Sequence, residues 1–486
     1  MNKFLLVVAI VFVTTFANAQ NAFTLQDVIQ RVQSQSPTFK VTETRLQTRY
    51  WQYRTFRSNY IPQIRLNNFN SGILYRNSIT PVAQPDGSLQ YLRVNQFNPG
   101  FNFALQQPIQ WTGGTIFLNS GYNYFNNLID NTRQWNGTPM NLQIAQPLLA
   151  YNKLKWDRMI EPIRYEESKR DYAESMEQMS TDASNFFFAV LQEQVNLQIA
   201  KYNLANNDTI YKIEQGRYNI GTTSEDKLLQ VELQLLRSRQ DVAQANLNLR
   251  NAFLSLKTFI GVPNEDNFEL IMPDVIPQFT VDEEEAIEFA KKTRSAYIAF
   301  QRRKLEAKSA VALARGGLYN VSVNATYGLN NVAQSMSDLY RNPSQQQFAN
   351  ITVDIPIVDW GRRKAVMQSA YANKRLQDYL IAQDEVVFEQ TILTLVRQFE
   401  MLRLQIEITK KSDVVALQRY TVAQNRYLIG KIDITNLNIA LREKDEAKRA
   451  YIQALRLFWE AYFKLRALTL YDFEARKYLY NPFQEG

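Results

Sequence analysis

Between Leu154 and Tyr218 the sequence runs for 65 residues in a helical pattern, broken only by Pro162 near its start and Gly216 near its end. At 1.5 Å per residue such a helix is roughly 100 Å long, a length for which a compact globular domain has no use. After Gly221 a second helical pattern follows, and its packing code is a heptad. Leu228, Leu235, Val242, Leu249 and Leu256 recur every seven residues, with Val231, Ser238, Ala245, Ala252 and Phe259 as the companion row. That is a coiled-coil seam. Leu229, Leu233, Leu236 and Leu247 lie off the seam, so the helix carries more than one apolar stripe and must touch neighbours on both sides. Such helices laid side by side form a sheet of helices that can close into a tube.

The stretch QGRYNIGTTSEDKLLQVEL, which begins at Gln215, is echoed by QNRYLIGKIDITNLNIAL from Gln424. Arg217/Arg426, Tyr218/Tyr427, Ile220/Ile429 and Gly221/Gly430 share one offset of 209 residues, as do Pro147 and Pro356. The chain reads as a tandem repeat. The first repeat, 20–261, has a helix over 24–58, strands over 60–146 and long helices over 148–260. A proline-rich linker, 262–279, leads to the second repeat, 280–470, with a helix over 282–316, strands over 319–356 and long helices over 360–469. A tail, 471–486, follows. Thr24 and Asp27 mark the first helix start, and Pro37 interrupts that helix. The pieces IRLNNFNSGILY, FNFALQQPI, TIFLNSGYNYF and MNLQIAQ alternate partly between apolar and polar residues, with turn-rich pieces between them; they read as about four strands, and YNVSVNATYGL and QFANITVDIP as two more. Ala440, Ala447, Ala454 and Ala461 form a row of small residues that lets helices approach closely.

Composition narrows the function. The chain has 486 residues, no Cys and no His, so thiol nucleophiles, disulfides, His-based metal sites and the commonest general base are excluded. Its net charge of +8 is spread along the chain and forms no nucleic-acid patch. Catalysis would need a carboxylate pair or a Ser/Lys pair; the run Glu283–Glu285 sits in a first helical turn and reads as a solvated face. No cofactor is expected. The start, MNKFLLVVAIVFVTTFANAQ, has a positive n-region at Lys3, a short apolar core and a small-x-small site, and reads as a signal peptide over 1–19. No later segment approaches 18 apolar residues, so any membrane entry must be by strands. Aromatic residues near the strands, among them Tyr60, Tyr75, Tyr91, Trp111 and Trp135, suit interfacial girdles. A periplasmic coiled-coil adaptor would need no such strands.

Each of Gly221 and Gly430 sits between two helical patterns and permits the left-handed conformation that ends a helix; Thr222, Ser224, Asp433 and Thr435 are placed to cap the next one. The motif is read as a hairpin tip between antiparallel helices. With these pieces assembled, the sequence resembles the TolC-type outer-membrane efflux protein family. FTLQDVIQRVQSQSP resembles its first helix, SNYIPQIRL its entry to the first strand, and IAQPLLAYNKLKW and VDIPIVDWGRRK its strand-to-helix junctions; two R-Y-x-x-G tips complete the set. The resemblance implies a mixed α and β membrane protein. It would be a homotrimer whose shared outer-membrane β-barrel continues as a long periplasmic α-helical coiled-coil barrel. It implies an exit duct for small toxic molecules or proteins, working with a periplasmic adaptor and an inner-membrane pump of RND or ABC type. It places adaptor docking at the tips, on Arg217, Tyr218, Gly221, Thr222, Arg426, Tyr427, Gly430 and Lys431. The periplasmic entrance, acidic in the family six and nine positions after the second tip glycine, has Asn436 and Ile439 here, with Lys227 in the first half and Asp433 and Asp226 nearby. Family members usually contribute four strands per chain; residues 97–128 read as an added hairpin.

Overall fold

The computed structural model describes residues 21–262, 268–273 and 275–480. The signal-peptide reading, 1–19, falls outside them, as do part of the linker and the end of the tail. The chain divides into two compact units. One is formed by the described parts of Met1–Gln47, Ser168–Tyr297 and Glu385–Gly486, the other by Thr48–Glu167 and Ile298–Asp384.

The second unit holds one six-stranded antiparallel sheet. Its strands are β2 (Gln63–Ala83), β3 (Leu89–Pro108), β4 (Thr115–Asn127), β5 (Arg133–Pro147), β7 (Asn320–Ala333) and β8 (Ser344–Asp354), in the spatial order β2-β3-β4-β5-β7-β8. The hairpin read as an addition is therefore part of this sheet, between β2 and β5. Register fixes two faces. Ile64 faces Leu105, Leu105 faces Leu118, Leu118 faces Leu142 and Leu142 faces Tyr327 across the strands. The opposite face carries Asn67, Asn102, Asn119, Asn141, Asn324 and Asn350, and Asn102 Nδ2 donates to Asn67 Oδ1 at 2.9 Å. The apolar face is open: Ile64 is 80% exposed. Phe69, at a register shift in β2, lies over the polar face; a Cβ on Gly121 would come within 2.3 Å of its ring.

All four helix junctions lie at one end of the sheet, because β2 follows a helix, β5 and β8 precede helices and β7 follows one. The β3–β4 turn lies at this end too, and the β2–β3, β4–β5 and β7–β8 connections lie at the other. The Pro-rich stretch 77–96 is mostly strand; only Gln84–Ser88 turns, with Gln84 N donating to Ser88 O at 2.8 Å. Pro81 is tolerated because β2 is an edge strand with no partner on its outer side. The segment around 335–344 contains a 3₁₀ turn, Ser337–Tyr340, docked on the sheet. Its Leu339 is fully buried, Asn331 Nδ2 donates to the carbonyls of Asp338 and Leu339 at 3.0 Å each, and Tyr340 meets Tyr122 hydroxyl to hydroxyl.

The helices are α1 (Leu25–Gln35), α2 (Pro37–Ser58), α3 (Lys153–Asn219), α4 (Glu225–Ile260), α5 (Glu283–Thr293), α6 (Ser295–Gly316), α7 (Arg362–Leu428) and α8 (Ile434–Thr469). Thr24 and Asp27 form a capping box, satisfying two orphan backbone donors at the start of α1. α3 and α7 each have 67 residues, α4 and α8 each 36. A short parallel pair, β1 (Asn21–Phe23) with β6 (Phe268–Leu270), ties the start of the described chain to the segment after α4. The core of the first unit joins Val28 and Val32 of α1, Phe187 and Phe188 of α3, Leu256 of α4, Phe399 of α7 and Leu455 and Phe458 of α8. The read seam is the buried side of α4: Val231, Leu235, Ser238, Ala245 and Leu256 are all buried. Ala440, Ala454 and Ala461 are buried in α8. A charged cluster crosses this core, with Arg466 Nε 3.0 Å from Glu177 and Nη1 3.3 Å from Asp472. Burial pushes the Glu177 carboxyl up, and the Arg466 guanidinium holds part of that rise back.

Phe458 is fully buried and stacks on Phe399 with ring centroids 5.0 Å apart. Phe458→Ala is expected to cost about 3–5 kcal/mol, read as a lowered midpoint in the thermal loss of helical circular dichroism. A midpoint equal to that of the native chain would show that this ring does not anchor the core.

Candidate functional site at the helix tips

The helix α3 ends because Gly221 takes φ +76°, the left-handed conformation that side chains resist. Gly221 N then donates to Tyr218 O and Thr222 N to Arg217 O, both at 2.9 Å. This is the paired 5→2 and 6→1 closure of a helix C-terminus by glycine. At the other tip Gly430 has φ +75°, Gly430 N donates to Tyr427 O at 2.9 Å and Lys431 N to Arg426 O at 2.8 Å. The repeated R-Y-x-I-G therefore encodes one backbone device twice: arginine three positions before the cap, glycine just past it.

Capping of the following helices differs. Asp433 accepts from Asn436 N at 2.9 Å and from Asn436 Nδ2 at 2.9 Å. Ser224 occupies the cap position of α4 without a side-chain bond. Thr222 instead closes α3, its hydroxyl donating to Arg217 O at 3.0 Å. Thr435 lies inside α8.

The side chains of the two copies have opposite fates. Tyr427 is buried and Tyr218 is 41% exposed; Arg217 is half-buried and Arg426 exposed. Glu214 makes the difference. It accepts from Tyr427 Oη at 2.8 Å and from Arg217 Nη1 at 2.6 Å, while Arg217 Nη2 also donates to Leu428 O at 3.2 Å. Burial pushes the Glu214 carboxyl up, but the hydrogen bonds from Tyr427, Arg217 and Thr223 more than offset this and hold it below its ordinary value. Burial and the bond to Glu214 push the Tyr427 hydroxyl well up. Position 423, which matches Glu214 at the 209-residue offset, is Ala, so no second network forms. Nothing in the tip motif flagged Glu214; only its lack of a repeat counterpart distinguishes it.

A cleft of about 430 Å³ between the tips is lined by Glu214, Arg217, Thr222, Lys227, Tyr427, Gly430 and Asp433, among others. The structure thus brings six of the sequence-read positions, and Glu214, together. Tyr218, Arg426, Lys431 and Asn436 are exposed, and Ile439 is half-buried; none of them lines this cleft. Further along the same helices lies a buried polar layer. Lys444 Nζ sits 4.5 Å and 4.7 Å from the ring centroids of Tyr202 and Tyr420 and 3.2 Å from Asp445. Asn203 donates to Asp445 at 2.7 Å, Asn206 to Tyr420 Oη at 3.1 Å and Asn207 to Ser238 at 2.6 Å.

Among the described residues no helix is long and apolar enough to cross a membrane, and no cluster of acidic residues could hold a metal ion.

Comparison with known proteins agrees with this architecture. The family model described as outer membrane efflux protein matches residues 96–262 and 293–469. A search among curated protein sequences finds no match. Among solved structures, the CmeC outer membrane channel of Campylobacter jejuni superposes with a TM-score of 0.66 at 14% identity, over 93% of this chain and 87% of that one. The outer membrane protein VceC of Vibrio cholerae gives 0.64 at 14% identity, over 92% and 96%. The open MtrE outer membrane channel of Neisseria gonorrhoeae gives 0.61 at 14% identity, over 93% and 89%. At these identities the structures speak for the fold, and the family model carries the function. The chain belongs to the outer membrane efflux protein family, and is an exit conduit of the outer membrane in a tripartite export system rather than an enzyme.

Proposed function

We propose that three copies of this chain pool their strands into one closed barrel and their long helices into one tunnel. The observation that carries this reading is the two-faced sheet with unpaired outer edges on β2 and β8. In hydrocarbon every backbone donor must be paired, so a sheet survives there only when its edges meet. Six strands are too few to enclose an aqueous bore, whereas three chains give about eighteen, the size class that leaves one. The helices support the same reading. α4 leaves Leu229, Leu233, Leu236, Leu247 and Leu254 exposed, and α7 leaves Met401, Ile408, Val415 and Val422 exposed at seven-residue intervals. Each stripe is a seam without an occupant in its own chain, suited to a neighbouring copy.

The tips, with Arg217, Tyr218, Gly221, Thr222, Arg426, Tyr427, Gly430 and Lys431, are proposed to dock a periplasmic adaptor that links the duct to an inner-membrane pump of RND or ABC type. Lys227, Asp433, Asn436 and Ile439 are proposed to line the entrance. The polar Asn-rich face of the sheet suits a water-filled bore, which carries small toxic molecules or proteins without a binding pocket. The two matched helix lengths support the reading of a tandem repeat.

Electron-microscope averages of the detergent-purified particle test the assembly. A hollow cylinder of threefold symmetry is expected; a solid monomer would overturn the reading. At the tips, proline cannot adopt the positive φ of Gly221 or Gly430. Gly221→Pro and Gly430→Pro are expected to abolish resistance in a complemented efflux-deficient strain while the trimer persists on native gels. Full resistance in both would remove the tips from docking. At the entrance, Asn436→Asp adds a carboxylate beside Asp433 and should raise cation preference in bilayer conductance; unchanged selectivity would place Asn436 away from the constriction.

A further inference from the structure

The helix junctions of the sheet unit are unusually basic. The last ten residues of α2 and of α6 and the first ten of α3 and of α7 together hold eleven Lys and Arg against two carboxylates, Asp157 and Glu161. Both acids are already engaged: Asp157 pairs with Lys153, and Glu161 with Arg164 at 2.5 Å. Within this belt lies a cleft of about 640 Å³. Its walls include Tyr53 and Phe56 near the end of α2 and Tyr60 just after it, and its cations are Arg54, Arg57 and Arg158. Arg158 donates to Gln110 Oε1 in the β3–β4 turn at 2.8 Å. Among the described residues no carboxylate forms an ion pair with Arg54, Arg57 or Arg158.

Position completes the argument. The cleft lies where α2 gives way to β2, whose first residues on the apolar face are Ile64 and Leu66, 80% and 62% exposed. Trp111, in the turn at this same end, is 84% exposed, and Trp360, just before α7, is 96% exposed. Apolar band, indoles and cations thus follow one another in the order of lipid tail, interface and headgroup.

We propose that this cleft binds the phosphate of an anionic phospholipid in the leaflet on the helix side of the sheet. Arg54, Arg57 and Arg158 supply the charge, and the aromatic walls take the glycerol region. The proposal rests on the reading of the sheet as the membrane wall. A lipid is the occupant, rather than a free anion, because the three arginines are exposed. Exposed charges are screened within about 8 Å at physiological salt and hold a soluble phosphate weakly. A lipid whose tails already lie on the apolar band presents its phosphate at high effective concentration.

The test uses the full-length protein in detergent and measures binding of dioctanoyl-phosphatidylglycerol and dioctanoyl-phosphatidylcholine by native mass spectrometry. A preference of about tenfold or more for the anionic lipid is expected. It should vanish in R54Q/R57Q/R158Q, persist in R54K/R57K/R158K, and resist competition by equal concentrations of glycerol 3-phosphate. Equal binding of the two lipids by the native chain, or an undiminished preference in the glutamine variant, would overturn the proposal. Displacement by glycerol 3-phosphate would overturn it in favour of a soluble-anion site. Monodisperse protein in detergent-free buffer would instead sink the membrane-wall reading itself, a result independent of headgroup preference.

Discussion

Backbone hydrogen bonding in a solvent that offers none is the constraint from which the architecture follows. A β-sheet in lipid can hide its polar ladder only by pairing both edges, yet this chain supplies six strands and leaves β2 and β8 open. The side chains are already sorted for the finished wall, with leucine, isoleucine and phenylalanine on one face and a field of asparagines on the other. In the assembly proposed above, a single copy is one segment of a larger structure. The exposed heptad stripes of α4 and α7 state the same incompleteness in the helical part of the chain.

The tips show how one sequence motif can hold one backbone role and two side-chain roles. Glycine in the left-handed region closes both helices through the same pair of backbone bonds. The arginine and tyrosine of the two copies then diverge because a single carboxylate, Glu214, collects Arg217 from its own helix and Tyr427 from the other copy. The charge-assisted bonds there are individually worth about 1.5–3 kcal/mol, enough to make the pairing of α3 with α7 specific at the tip.

Much of this was legible in the sequence. The heptad of α4, the alanine row of α8 and the helix start at Thr24 and Asp27 are local signals with a fixed period or spacing, so they survive without tertiary information. The number of strands was legible too, since turn-forming clusters separate them. Their lengths were not. Pro81, Pro85, Asp86 and Gly87 read together as one turn-rich piece, whereas an edge strand tolerates Pro81 and a five-residue turn suffices. The docking of the 3₁₀ turn was hidden because its anchors, Asn331 and Tyr122, lie outside the turn, Tyr122 far away in the chain. Glu214 was hidden for a related reason: its role depends on a tyrosine 213 residues away.

The buried ammonium of Lys444 has a mechanical corollary. Held between two tyrosine faces from α3 and α7, with a carboxylate alongside, it can follow neither rod if they slide apart without losing contacts on the other. Axial slippage at that level is therefore discouraged. A load along any one of the three rods is thus shared with the other two through a single ammonium.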